Sequence, residues 1–427
     1  MDEQDHNRIK LFRQFKKEIR GSKEYLIVGI DIGKSTHHGF LGTATGKVLR
    51  RIVIENSASG FEHLLTMVQF FSDREGLKRV VFGVEPTSVY HKPLSEFLIE
   101  EEFLVVYVTN EAIKKNRALL DGRWDKNDTK DAANVADLLS QGKCQYYDLP
   151  PMNVRDVRSL LLLRTRLMKQ QHSARIRIRN NLVAQYFPEL DQLWNKSESE
   201  NLAIVRWCLS PHKIRQLPFE AFCRMVAPRQ RGEKQYRRIS KIWEMSPYSI
   251  GCRAGIAVEQ EAKILVEGLT TIQTHIVEVE ETIEDICRCF DEYTLLLTIP
   301  GFGPYISAVV LASIGNPYRF QSTKELIKFA GFDLNARRSG KKSKAAVPVI
   351  SKKGKGSLRY ALYQAALVAT SSNTRFRAYF HRVLEGRERE EGIRTKMRVK
   401  LAAKLLIIAW VMMKRKEPFN PDYLKVE

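Results

Sequence analysis

Between Tyr25 and Tyr147, apolar runs of strand length alternate with helix-length segments, and that order leaves the chain few folds to choose from. Leu26-Ile27-Val28-Gly29-Ile30 is a short apolar run of buried-strand type. Gly39-Phe40-Leu41 and Val48 to Ile54 read as two further strands, joined across the turn signal Thr43-Ala44-Thr45-Gly46. A helix near Phe61 to Phe71 follows, then a strand from Val80 to Val84, a helix near Leu94 to Glu100 and a strand from Phe103 to Val108. Helices are predicted after Asn110 and after Asn127.

Three strands in a meander, then strands alternating with helices, is the order of an RNase H-like α/β domain, assigned to residues 23–149. The remainder reads as all-α, so the predicted class is α/β plus all-α. A charged extension, residues 1–22, precedes the α/β domain; Leu11, Phe12, Phe15 and Ile19 could line one helical face there. Residues 150–292 form a helical and coiled-coil middle with an insertion near 210–250. Leu160, Leu163, Leu167, Ala174, Ile178 and Leu182 recur at helical spacing, with Arg164, Arg166, Lys169, Arg175, Arg177 and Arg179 filling much of the rest. Farther on, Leu265, Leu269, Ile272, Ile276, Val279, Ile283 and Ile286 alternate steps of four and three, the a/d signature of a coiled coil. A helix packed within its own chain and an intermolecular coiled coil both satisfy that pattern. Residues 293–427 form a mostly helical C-terminal domain opening on Pro300-Gly301-Phe302-Gly303-Pro304. A glycine hairpin that opens a helix can offer N–H groups to phosphate, as in helix-hairpin-helix elements, but a Gly-Pro turn between two core helices looks the same.

Charge narrows the partner. The 70 Lys and Arg exceed the 49 Asp and Glu by 21, the footprint of a protein that neutralises phosphates. Against that background Asp31 and Glu85 end two predicted strands, and Asp128 and Asp131 lie i and i+3 on one helix face. Mg²⁺ (or Mn²⁺) favours carboxylate oxygens with water and substrate phosphate, and two such ions about 4 Å apart can clamp a phosphodiester. The bland alternative for Asp128 is an acid stabilised by a helix dipole. Gly29-Ile30-Asp31-Ile32-Gly33-Lys34 also fits the phosphate loop of actin-like ATPases, but the second D-x-G segment those proteins need is missing. The six cysteines are scattered without zinc spacing and read as reduced thiols of a cytoplasmic protein; the most apolar run, Leu401 to Met413, is shorter than the ~20 residues a membrane span requires.

Nine basic residues and no acid fall between Ala336 and Tyr360. Arg337, Arg338, Lys341, Lys342, Lys344, Lys352, Lys353, Lys355 and Arg359 make this stretch a candidate nucleic-acid interface, together with Arg164, Arg175 and Arg179 of the basic helix. Ser339 sits among them. A serine hydroxyl needs its proton removed and nearby cations before it can attack a phosphate, and by residue chemistry alone it is equally a phosphate hydrogen-bonder.

These residues together resemble the DEDD-type insertion-sequence transposases (the IS-one-ten family), which include the Piv-type DNA invertases. The acids fall in Gly29-Ile30-Asp31, Val84-Glu85-Pro86-Thr87 and Lys126-Asn127-Asp128-Thr129-Lys130-Asp131-Ala132; the C-terminal half matches in Pro300-Gly301-Phe302-Gly303-Pro304, Phe329-Ala330-Gly331-Phe332, Ser339-Gly340 and Ser351-Lys352-Lys353-Gly354 followed by Leu358-Arg359. The resemblance implies a RuvC-like domain whose acids Asp31, Glu85, Asp128 and Asp131 hold Mg²⁺, and a catalytic Ser339 that forms a covalent phosphoserine with DNA. It also implies donor and target DNA as substrates, a bridge RNA as guide, and a dimer or tetramer, with no membrane partner. Asn127 stands where the family often has threonine, and the insertion is long. Two rivals make different expectations: a junction endonuclease using the carboxylates with water as nucleophile, and a non-enzymatic protein that organises guide RNA or DNA.

Overall fold

The computed structural model describes residues 3–86, 88–120, 128–196, 198–229, 232–335 and 349–424. The chain divides into two compact units, residues 1–152 with 315–325, and residues 153–314 with 326–427.

In the first unit α1 (Glu3–Glu18) leads into β1 (Tyr25–Asp31), β2 (Thr36–Thr43), β3 (Val48–Glu55), α2 (Ala58–Glu75), β4 (Arg79–Val84), α3 (His91–Glu100), β5 (Leu104–Tyr107), α4 (Asn110–Leu120), α5 (Asp128–Ser140) and β6 (Gln145–Tyr146). The strands form one mixed sheet in the order β3-β2-β1-β4-β5-β6. The β1–β2 and β2–β3 pairs are antiparallel, while β1–β4 and β4–β5 are parallel, as the predicted meander followed by crossovers requires. Ser57 caps α2 by accepting from the Gly60 N–H at 3.2 Å, and Gly76 ends it in the left-handed conformation at φ 67°.

One face of the sheet carries α2 and α3 through Leu64, Val68, Leu94 and Leu98; on the other, Val135 and Leu139 of α5 share a core with Ile27, Val81 and Val106. That second face is where glycine decides the packing. Gly29 and Gly83 are register partners on β1 and β4. A Cβ on Gly29 would lie 2.4 Å from the Ala132 carbonyl oxygen and 2.6 Å from the Ala136 nitrogen of α5; one on Gly83 would lie 2.4 Å from Leu139. The paired glycines therefore cut a trough in which the α5 backbone settles on Gly29 and the Leu139 side chain on Gly83, a close approach that a larger residue at Gly29 forbids.

The N-terminal segment is an integral helix of this unit. Phe15 and Ile19 are fully buried in the core shared with Val81 and Leu139, and Ile9 joins the buried face, while Leu11 is exposed rather than on it as the sequence suggested. The Arg8 guanidinium donates to the carbonyl oxygen of Tyr147 at 2.6 Å, and Asp5 accepts from Tyr146 and Asn316, each at 2.6 Å. Through Asn316 and the Arg319–Asp148 ion pair at 2.5 Å, residues 315–325 belong to the first unit although the sequence placed them with the C-terminal domain.

The second unit begins with α6 (Met152–Ile176), which continues through π-helical turns to Val183 and into α7 (Ala184–Tyr186). The insertion is helical: α8 (Glu198–Cys208), α9 (Pro211–Arg215), α10 (Phe219–Val226) and α11 (Glu233–Met245) share one core with Ile178, Leu182 and Leu269. Next come α12 (Ile256–Arg288), α13 (Asp291–Leu297), α14 (Pro304–Ile314), α15 (Thr323–Ala330), the two-stranded β7 (Leu334–Asn335) and β8 (Val349–Ile350), then α16 (Gly356–Ser372), α17 (Thr374–Leu384) and α18 (Ile393–Arg415). In the 33-residue α12 the heptad positions Leu269, Ile276 and Ile283 are buried, and Leu265, Ile272, Val279 and Ile286 half-buried, within this chain alone. The α6 seam is weaker, since Leu163 is exposed. Gly301, at φ 90°, presses against α16, where an added Cβ would sit 2.4 Å from the Ala365 carbonyl oxygen; its glycine serves packing between helices. Cys144 and Cys287 are buried free thiols, each pushed up to about 12 by burial. Among the described residues no helix is long and apolar enough to cross a membrane.

Because the Gly29 Cβ position is filled by backbone atoms of α5, Gly29→Ala is expected to lower the unfolding free energy by about 1–3 kcal/mol, read from urea denaturation, while alanine at exposed Gly255 leaves it within experimental error.

Candidate functional site

Asp31 is the last residue of β1, and Glu85 follows the last residue of the parallel neighbour β4, its N–H donating to the Ile30 carbonyl at 3.3 Å. Both carboxylates thus stand at the carboxyl ends of adjacent parallel strands, where open α/β sheets place ligands. Asp131 reaches the same place from α5. Its position follows from the glycine trough: Ala132 and Ala136 lie on Gly29, so the residue before Ala132 sits beside the end of β1. Asp31, Glu85 and Asp131 line one cavity of about 580 Å³, together with Lys34, His38, Asn110, Lys114 and Arg117. Asp128 opens α5, but its side chain lies outside the described residues.

Asp131 is 2% exposed. Its Oδ1 lies 2.6 Å from Arg117 Nη2 of α4, a charge contact off the hydrogen-bonding line, and the atom has no aligned donor among the described residues. Helix α4 is held over α5 by a buried polar zipper. Asn116 Nδ2 donates to Asn134 Oδ1 at 2.8 Å and to Asp137 Oδ2 at 2.7 Å, and Asn134 Nδ2 donates to the Ile113 carbonyl at 2.9 Å. Amide pairs buried this way fix one register between two helices. Asp131, Asn134 and Asp137 recur every third residue among Ala132, Ala133, Val135, Ala136, Leu138 and Leu139, a stripe from which the zipper could have been read. His38 is the register partner of Asp31 across β1 and β2 and lines the cavity too. Neither His38 nor Arg117 emerged from sequence, because a cross-strand pairing and a helix-to-helix contact have no local pattern.

Carboxylate oxygens are the donor type that a hard cation takes, and the cavity has room for water beside them. Among the described residues no three acids, histidines or cysteines converge closely enough to hold an ion, so the set is assembled in one cavity and not drawn together.

Ser339 and its neighbours Arg337, Arg338, Lys341, Lys342 and Lys344 lie outside the described residues. What is described are the residues on either side of that stretch. β7 and β8 pair antiparallel across it, Leu334 opposite Ile350 and Asn335 opposite Val349. Below them Ser351 Oγ donates to Asp333 Oδ1 at 2.5 Å, and the Ser351 N–H donates to the Asp333 carbonyl at 2.7 Å. Gly331 (φ 75°) and Gly354 pack face to face: a Cβ on Gly354 would lie 2.4 Å from the Phe329 carbonyl oxygen. Arg359 Nη1 donates to the Ala330 carbonyl at 2.7 Å, and Lys355 lies over the Phe329 ring at 5.0 Å. The separate motifs Phe329-Ala330-Gly331-Phe332 and Ser351-Lys352-Lys353-Gly354 are therefore two halves of one clasp. Lys352 holds a left-handed φ of 56° within it, and Lys352 and Lys353 are exposed.

The basic helix is largely occupied by its own chain. Arg164 pairs with Glu280 at 2.5 Å and stacks over Tyr305 at 4.0 Å; Arg179 pairs with Asp191 at 2.5 Å; Arg175 donates to Gln171 at 3.2 Å.

With this geometry in place, the chain matches known proteins at both of its ends. A family model for DEDD-type IS110 proteins, described as Transposase, covers residues 28–188, and one described as Transposase IS116/IS110/IS902 family covers residues 293–381. The chain is a DNA-modifying enzyme of the transposase class. It belongs to the IS110 family of insertion-sequence transposases, whose function is transposition and recombination of DNA. It is 21% identical to the uncharacterized 44.8 kDa protein of insertion element IS116 from Streptomyces clavuligerus, over 92% of this chain and 96% of that one. It is 22% identical to the uncharacterized 43.6 kDa protein of insertion element IS110 from Streptomyces coelicolor, over 91% and 94%. A shorter match, 28% identical over 34% of this chain and 45% of the other, is to the pilin gene-inverting protein of Moraxella bovis.

The clasp yields a direct expectation: Ser351→Ala removes a hydroxyl donor from the Asp333 carboxylate and lowers the unfolding free energy by about 1–3 kcal/mol in urea, while Ser351→Thr retains most of it.

Proposed function

We propose that this transposase breaks and rejoins DNA through a covalent phosphoserine at Ser339, assisted by Mg²⁺ (or Mn²⁺) at an RNase H-like carboxylate site of Asp31, Glu85, Asp128 and Asp131. The observation that carries the reading is that Asp31, Glu85 and Asp131 line one cavity together with Lys34, Lys114 and Arg117. A carboxylate set mixed with cations suits a divalent ion and a phosphate together, since the ion neutralises the acids and the cations meet the phosphate. When bound, the ion would polarise a phosphodiester oxygen and offset charge in the transition state.

Ser339 supplies the nucleophile. Its Oγ forms a bond to phosphorus, the bond from phosphorus to one sugar oxygen breaks, the serine proton passes to a base, and the departing sugar oxygen takes up a proton. Rejoining reverses the step with a sugar hydroxyl of another strand as attacker, so the phosphodiester energy is kept in the protein–DNA bond. Cations around Ser339 favour this chemistry. Residues 326–427 contain 24 Lys and Arg against 8 Asp and Glu, so most of the chain's excess of 21 lies in the region that bears the serine. A bridge RNA that pairs with donor and target belongs to the same reading, and it gives that excess a second polyanion to bind; recombination would then require the element's non-coding transcript. Strand exchange on two duplexes calls for at least two protomers.

The serine and the carboxylates are tested separately. Ser339→Ala is expected to abolish the protease-sensitive protein–DNA adduct and reduce strand cleavage by on the order of 10³-fold or more. Asp31→Asn removes cleavage and recombination but leaves DNA binding in place. Cleavage retained by Ser339→Ala would identify water as the nucleophile, and full recombination by Asp31→Asn would remove the metal site from the reaction.

A further inference from the structure

We infer that the outward face of α16 lies along double-stranded DNA, its uncharged middle on the base edges of the major groove and the cations at its two ends on the flanking phosphates. This rests on the reading that assigns DNA to the C-terminal region, and it adds the side chains that meet the bases. A helix face turned to water is normally laced with charge, as α12 is with exposed Glu261, Glu267 and Glu278. Helix α16 is not. Leu358, Leu362, Ala365 and Ala369 are fully buried on one side. On the other, Tyr360, Gln364, Leu367 and Val368 follow at steps of four, three and one, which makes a single stripe. Tyr360 is 63% exposed, Val368 44% and Leu367 38%. The one charged residue within the helix, Arg359, is turned away to the Ala330 carbonyl, so the stripe itself carries no charge. A contiguous apolar stripe left in water marks a place of contact.

Charge around the stripe selects the partner. From Leu334 to Leu384 the sequence holds twelve Lys and Arg and not one Asp or Glu. Exposed Lys352 and Lys353 stand just before the first turn of α16, and exposed Arg375 and Arg377 follow its last. Arg377 Nη2 donates to the Ser371 carbonyl at 2.6 Å, which keeps that guanidinium at the end of the stripe. A second copy of the same face is a poor partner, because either orientation sets cations against cations. A DNA duplex matches both parts. The 17 residues of α16 rise about 25 Å, against a major groove about 12 Å wide, so the middle of the helix faces bases while both ends reach backbone. There the half-buried Gln364 offers the amide that pairs with adenine, and Leu367 and Val368 meet thymine methyl groups. The cations at the ends fix the helix in place without reading sequence.

The test is the affinity of the full-length protein for a random-sequence DNA duplex, read by fluorescence anisotropy without metal. Leu367→Glu and Val368→Glu each set a carboxylate against the duplex and are expected to weaken binding about tenfold or more. Their unfolding midpoints should match the parent's, because both side chains face water. Tyr248→Glu, at an 84% exposed position of the insertion, is expected to stay within about twofold of the parent, which separates contact from a change in net charge. Lys352→Gln and Arg375→Gln should each lower the slope of log affinity against log salt by about one. A duplex whose cytosines carry glucosylated hydroxymethyl groups, which fill the major groove, should bind the parent more weakly; equal affinity for the plain and the glucosylated duplex overturns the groove placement. Parent-like affinity in both glutamate variants overturns the inference. So does parent-like affinity accompanied by a changed oligomeric state or by lost binding to phosphatidylglycerol vesicles, which assigns the stripe to a second copy or to a membrane. Ser339→Ala is expected to bind the duplex as the parent does, so failure of the serine mechanism and failure of this surface are read independently.

Discussion

The contact between α5 and the strands β1 and β4 is the constraint from which the rest of the first unit follows. Helix and sheet usually meet side chain to side chain, but here the register pair Gly29 and Gly83 removes the sheet's side chains where α5 crosses. The helix backbone comes down onto the strands, and the Asp131 carboxylate arrives level with the strand ends that carry Asp31 and Glu85. Helix α4 is then hung on α5 by Asn116 and Asn134, which sets Arg117 beside Asp131. A single loss of side-chain volume thus places three carboxylates and one guanidinium without any of them being adjacent in sequence.

Much of this unit was legible in the sequence because sheets write their order in period and length. The strands predicted from Leu26, Gly39, Val48, Val80 and Phe103 are all present, with ends shifted by a few residues, and the acids at two of those ends line one cavity. What was not legible depends on pairing. Gly29 reads locally as a break in an apolar run; only its register partner Gly83 makes it half of a trough. Similarly, α1 reads as a charged extension, yet Phe15 and Ile19 are as buried as any strand residue, because a short helix with few apolar positions can still fill one gap in a core. The segment 315–325 carries no sign in its sequence that Asn316 and Arg319 answer Asp5 and Asp148 more than 160 residues earlier.

In the helical region the sequence conveyed charge, and the structure adds where much of that charge is paired. The arginines of α6 suggested a nucleic-acid face, but Arg164, Arg177 and Arg179 find Glu280, Glu261 and Asp191, and in the insertion Arg206 and Arg238 find Glu267 and Glu200. The exposed pairs among these, Arg177–Glu261 and Arg206–Glu267, add little stability individually. They do show that the acidic flank of α12 has partners inside the chain, which explains why its heptads bury Leu269, Ile276 and Ile283 without a second helix of the same kind. The uncompensated charge is concentrated elsewhere, in residues 326–427.

That distribution bears on how two halves so different in character can serve one reaction. The described lining of the carboxylate cavity has three acids, Asp31, Glu85 and Asp131, and three permanent cations, Lys34, Lys114 and Arg117. Its formal charge is therefore close to zero, and a phosphodiester gains little by entering it. On the proposed reading a divalent cation would make the same lining net positive, and a concave lining focuses such a charge on the anion that follows. The stretch from Ala336 to Tyr360 needs no such adjustment, since it holds nine basic residues and no acid. On the proposed reading one half would attract nucleic acid under all conditions and the other only once loaded, so that binding would precede chemistry.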